Sequence, residues 1–135
     1  MPRAYFDDFE PGQDWGTTQW VASEDICDTW TNLGLGRAPD NTAPDVRRVP
    51  AALVQVALAK CIQDKLREKP PGGIHAKQKF MFALPAYVND TLTTQLIVKD
   101  KYLKRERKYV EFESITRNQS GQVIATGLRT TIWAA

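Results

Sequence analysis

Asp40 and Asp45 close the two ends of the run Asp40-Asn41-Thr42-Ala43-Pro44-Asp45, a loop shortly before a strong helical pattern. Two carboxylates in one loop can share a proton when they are buried close together. Asp, Asn and Pro are also ordinary turn formers, because their side chains bond local backbone or fix φ, so both uses stay open for this segment. The single histidine, His75, follows Gly72-Gly73 at the start of a strand pattern. An imidazole titrates near neutrality and can move protons. His75 can enter a cleft from an adjacent strand or from a second protomer; the plainer alternative is a hydrogen-bonded or solvent-facing side chain at a strand end. Arg37, Arg47 and Arg48 flank the loop, and arginine suits bidentate phosphate contacts. Lys101, Lys104, Arg105, Arg107 and Lys108 cluster near a strand-to-strand turn, where cations commonly form a solvated edge.

Several elements must position these residues. Tyr5–Gly12 mixes aromatics with a Pro-Gly break and reads as a lead-in segment packed by its rings. Asp14–Val21 is strand-like. Ser23 then has the chemistry of a helix N-cap, with Glu24 and Asp25 in the first turn, and that helix stops near Gly34 and Gly36. Residues 34–48 are loop by composition. Pro50 suits the first-turn position of the next helix, where a missing N–H costs nothing. That helix runs from Ala51 to Arg67, and its first half is apolar nearly all round, which predicts burial on most sides. Pro70-Pro71-Gly72-Gly73 ends it. Strand patterns follow at Ile74–Leu84, Thr91–Leu103, Lys108–Arg117 and Gln122–Trp133. One buried helix beside a long antiparallel sheet is an α+β plan.

A chain of 135 residues fits a single domain, 1–135, with one core. The net charge of +2 is too small to imply nucleic-acid binding, and the aromatics are not interleaved with the basic run. The first residues lack the apolar stretch of a secretory signal, and no apolar run approaches the ~20 residues needed to span a bilayer. Cys27 and Cys61 have no metal-type neighbours in sequence and read as reduced, partly buried thiols. The expectation is a cytoplasmic protein with no cofactor, no nucleic-acid partner and no membrane association.

Three local patterns carry a family resemblance. Tyr5-Phe6-Asp7-Asp8-Phe9-Glu10-Pro11-Gly12 resembles the opening of MaoC-like hydratases and dehydratases. Phe82-Ala83-Leu84-Pro85-Ala86-Tyr87-Val88-Asn89-Asp90-Thr91-Leu92 resembles their Phe-x-x-Pro-x-x-x-Gly-Asp-x-Leu signature, with Asn89 in the glycine's place. Asn118-Gln119-Ser120-Gly121-Gln122-Val123, and then Gly127, resembles their last hairpin. Each pattern also has a local reading. Pro85 ends a strand because it cannot donate to a ladder. Asn89-Asp90 turns the chain, and Gly121 supplies the positive φ of a tight hairpin.

The resemblance implies a hot-dog fold, a long central helix wrapped by a curved antiparallel sheet. It also implies an acyl-CoA or acyl carrier protein thioester bound between two hot-dog units, as a homodimer or a heterodimer. The implied chemistry is reversible hydration of trans-2-enoyl thioesters to (R)-3-hydroxyacyl thioesters. An Asp and a His act on one water, and a helix N-terminus holds the thioester carbonyl. The family carries the pair as Asp-x-Asn-Pro-x-His. Here Asp40 fills the Asp position, Asp45 occupies the histidine slot, and Asn41 and Pro44 are each displaced by one.

The family's helix start, His-Gly-Met-Leu, is replaced by Pro50-Ala51-Ala52-Leu53; Ala51 keeps its N–H. The resemblance therefore puts Asp40, Asp45 and His75 forward as catalytic candidates, and Asn41, Arg47, Arg48 and Ala51 as substrate-binding ones. The missing histidine equally suits a non-catalytic hot-dog subunit whose partner holds an intact pair. A hot-dog thioesterase ranks below both, because Ala51–Val54 offer no acidic or hydroxyl side chain.

Overall fold

The computed structural model describes residues 4–32 and 47–134. The elements are a short 3-10 turn at Phe6–Asp8, β1 (Asp14–Val21), α1 (Glu24–Asn32), α2 (Ala51–Lys65), β2 (Ile74–Phe82), β3 (Thr91–Lys104), β4 (Arg107–Arg117) and β5 (Val123–Trp133). The strands form one antiparallel sheet in the order β1-β3-β4-β5-β2. The strand patterns read from the sequence are each present, with ends shifted by two residues at most. No helix among the described residues is long and apolar enough to cross a membrane.

Directly opposed residues of an antiparallel ladder share a face, so the register sorts the sheet into rows. Val98, Phe112, Arg129 and Gln78 form one row, and Leu96, Ser114, Gly127 and Phe80 the next. Thr18, Thr94, Thr116, Ala125 and Phe82 form a third. These rows lie on the concave face, because Leu96, Val98 and Phe112 are fully buried in the core that α2 covers. Inside the third row the Thr94 and Thr116 hydroxyls bond each other at 2.8 Å, which satisfies two buried polar groups.

α2 lies over β1 and β3. Its C-terminal half (Leu58, Cys61, Ile62, Leu66) packs with Phe9, Phe112 and Trp133, and the rings of Phe9 and Trp133 meet edge to face at 5.1 Å. Its N-terminal half (Leu53, Val54) packs on Leu92, Ile124 and Ala125. Two expectations are refined. Pro50 sits one residue before the helix, with extended ψ of 134°, and its carbonyl accepts from the N–H groups of Leu53 and Val54. The helix is also less enclosed than its composition suggests, since Ala51, Gln55 and Ala59 recur every four residues on an exposed stripe.

Candidate functional site

Pro50, the N-cap residue of α2, makes no side-chain cap, and no other described side chain supplies one. The N–H groups of Ala51 and Ala52 thus point out of the first turn without an intrahelical acceptor, at the positive end of the helix dipole. Arg47–Pro50 bring the chain to this point by pairing with the turn after β2: Val88 N–H donates to the Arg47 carbonyl at 2.8 Å, and Val49 N–H donates to the Ala86 carbonyl at 2.7 Å. The Arg47 guanidinium is ion-paired with Asp28 on α1 and donates to Thr31 Oγ1 at 3.4 Å. That places Arg47 as a strap between α1 and the entry to α2. Arg48 is exposed, and among the described residues it makes a backbone bridge to Tyr87 and no ion pair. Asp40, Asn41, Asp45 and Arg37 lie outside the described residues.

The Asn89-Asp90 turn holds this end of the sheet together. Asn89 has φ +73°, the conformation in which Asn best replaces glycine, and its N–H donates to the Ala22 carbonyl at 2.7 Å. Asp90 accepts from Tyr87 N–H at 2.9 Å and from Gln119 Nε2 at 2.9 Å. One carboxylate therefore links the turn to the β4–β5 hairpin. Ser23 caps α1 as its chemistry suggested, accepting from Ile26 N–H at 3.4 Å. Cys27, beneath that cap, is buried, and burial raises its thiol pKa although Arg47 opposes the shift.

His75 lies elsewhere. It opposes Thr131 at the opening of β2, beside the C-terminal half of the core, and it is exposed. Ala125, under the first turn of α2, opposes Phe82 at the far end of β2. The length of that strand, roughly 20 Å at about 3.3 Å per residue, separates the imidazole from Ala51 within the chain. Although the residue is largely exposed, desolvation of the part of its ring that neighbours cover lowers the His75 pKa, and the charge of Arg129 adds to that shift.

Sequence reasoning missed Arg129. It occupies the concave face between Phe112 and Gln78. Its Nε is buried with no hydrogen-bond partner, and burial holds its pKa below the usual guanidinium value. The signal was present in the alternation of β5, where Ala125, Gly127, Arg129, Thr131 and Trp133 share one phase. A groove of about 660 Å³ is lined by Thr18, Trp20, Lys60, Gln63, Asp64 and Arg67, among others. It flanks the C-terminal half of α2 and is separate from the uncapped first turn. Among the described residues no group of His, Cys, Asp and Glu side chains could hold a metal ion.

No protein-family model and no curated protein sequence matches this chain. Solved structures do. The unliganded R-hydratase PhaJ1 from Pseudomonas aeruginosa superposes with a TM-score of 0.80 at 20% identity, covering 97% of this chain and 86% of that one. The C-terminally truncated HadBC (3R-hydroxyacyl-ACP dehydratase) complex from Mycobacterium tuberculosis gives 0.77 at 16% identity, covering 90% and 96%. A MaoC-like dehydratase from Rhodospirillum rubrum gives 0.79 at 14% identity, covering 97% of each chain. At such identities the likeness is one of architecture. The chain has the hot-dog fold, in the form shared by MaoC-like hydratases and dehydratases.

Proposed function

We propose that this chain binds an acyl thioester, carried by CoA or by an acyl carrier protein, and adds water reversibly to a trans-2-enoyl group. The observation that carries the reading is the uncapped first turn of α2, set on the concave face of a sheet that matches hydratase and dehydratase structures along most of the chain. In this reading the Ala51 N–H donates to the thioester carbonyl oxygen, where charge develops as water adds to C3. Asp40 takes the proton from that water as its oxygen bonds to C3. The C2–C3 π electrons move onto the enolate, and Asp40 gives the proton it took to C2 as the enolate collapses, which completes the (R)-3-hydroxyacyl product and restores the carboxylate. Asn41 and Asp45, from the same run of sequence, residues 40–45, orient the water. Exposed Arg48 is the candidate for CoA phosphates, since Arg47 is committed to Asp28.

A second reading rests on its own observation. β2 is a free sheet edge with Ile74, Met81 and Phe82 53%, 62% and 46% exposed, an edge that a second hot-dog chain would extend. Because His75 is remote from Ala51, this partner can supply the base, with the present chain shaping the acyl cleft.

The test is hydration of short to long trans-2-enoyl-CoA thioesters by the purified chain, with Asp40→Ala alongside. Turnover lost in the variant supports the first reading. Thioester binding without turnover supports the second, and absence of binding by the wild type overturns both.

A further inference from the structure

Among the described residues every ion pair involves another group: Arg47 with Asp28, and Lys65 and Arg67 with Asp64. Among the described residues Arg129 has neither a carboxylate nor a carbonyl bonded to it, and its Nε is buried without a partner. A partly buried cation without a partner is costly, and in a folded protein it is ordinarily matched by an anion. The surrounding rows sharpen the point. Next to the Arg129 row are Lys101, Val110, Thr131 and His75, then Leu103, Lys108 and Trp133. On the other side come Leu96, Ser114, Gly127 and Phe80, then Thr94, Thr116, Ala125 and Phe82. None of these rows contains an aspartate or glutamate. Glu111 and Glu113 fall in the opposite phase of β4, on the convex face. Among the described residues, the strand positions of the concave face therefore carry cations alone at this end. Beside Arg129 it offers the Gln78 amide and the stacked Phe80–Phe82 pair, whose centroids are 6.2 Å apart.

We propose that Arg129 binds an oxyanion of the thioester ligand, on the half of the concave face that α2 leaves uncovered. The proposal rests on the thioester reading above. The shared chemistry is a guanidinium–oxyanion pair, and the oxyanion is either a carboxylate at the end of the acyl chain or a CoA phosphate. Arg129 lies one strand in from the free edge, so an edge-pairing chain bonds β2 first and leaves Arg129 in the cleft behind it.

The experiment compares wild type, Arg129→Met and Arg129→Lys by calorimetric titration with free CoA, butyryl-CoA, succinyl-CoA and the uncharged N-acetylcysteamine thioester of butyrate. Arg129→Met is expected to raise the Tm of the free protein, because it removes a partly buried cation whose Nε has no partner. It should also weaken anionic probes at least tenfold, with the uncharged thioester unaffected and Arg129→Lys intermediate. A loss confined to succinyl-CoA assigns the acyl carboxylate; an equal loss for every CoA compound assigns a phosphate.

Unchanged affinities for all probes overturn the proposal. So does dissociation of an oligomer by Arg129→Met with a lower Tm, which would assign Arg129 to a carboxylate of another chain. If the wild type binds no thioester, the thioester reading fails on its own, and pyrophosphate and succinate decide the anion site. A Tm rise in the wild type that is absent from Arg129→Met keeps the site, and no rise removes it.

Discussion

Thr18 and Asp64 lie 46 residues apart in the chain and meet at 2.9 Å, the hydroxyl of edge strand β1 donating to a carboxylate on α2. This bond ties the outermost strand to the helix. It is the largest cause of a lowered Asp64 pKa, followed in the same direction by Lys65 and Arg67. A carboxyl with a depressed folded pKa contributes stability that is present above its unfolded pKa and lost as pH falls through the folded one. Denaturant midpoints measured across acid pH should therefore fall below about pH 4. Thr18→Val should show a shallower fall, and a profile identical to wild type would remove this bond from the account.

Asn89 provides a test of backbone conformation. At φ +73° a residue with a Cβ and no compensating side chain is strained by about 1–2 kcal/mol. Asn89→Ala should lose stability on that scale in urea unfolding, whereas Asn89→Gly should stay within about 0.5 kcal/mol of wild type. Equal losses in the two variants would mean that the Asn89 side chain, and not its φ, stabilises the turn.

Gly127 is required by space, since its φ is ordinary. A Cβ there would sit 2.6 Å from Ser114 Oγ and 2.8 Å from the Phe80 ring. Gly127→Ala should cost about 1–3 kcal/mol by overpacking. Ser114→Ala removes one of the two obstacles. The double variant should be more stable than the sum of the single effects predicts, a coupling that a double-mutant cycle measures directly. Strict additivity would show that Gly127 and Ser114 do not compete for this space.

The single histidine makes one titration unambiguous. Partial burial first, and the Arg129 charge second, lower the His75 pKa. NMR titration of the imidazole should give a midpoint below the usual histidine value of ~6.5, rising in Arg129→Met. Because the folded state then resists protonation, this group costs stability as pH falls through the histidine range. A midpoint unmoved by Arg129→Met would show that the two side chains do not share the concave face.

Much of the frame could be read from residue types. Ser23 capped α1, and alternation along residues 91–133 marked three long strands, because these signals act within a few residues of chain; α2, by contrast, ended at Lys65 with its C-cap at Leu66, ahead of the expected Arg67 and of Pro70-Pro71-Gly72-Gly73. The Asn89-Asp90 turn and Gly121 were legible for the same reason, with φ of +73° and +79° where short polar or absent side chains allow it.

The site was less legible because it is assembled across the sheet. His75 reads as a catalytic candidate by type, yet β2 pairs with β5 in a register that carries it to the end away from Ala51. Arg47 reads as a phosphate ligand, yet folding sets it on Asp28. Arg129 carried no motif. Only its position opposite Phe112, in a row shared with buried Val98, turned an ordinary strand arginine into an unpaired cation on the concave face. Local chemistry determined which elements form and where they turn; strand register, a long-range property, decided which charges meet, because each pairing fixes the face of every side chain along a strand.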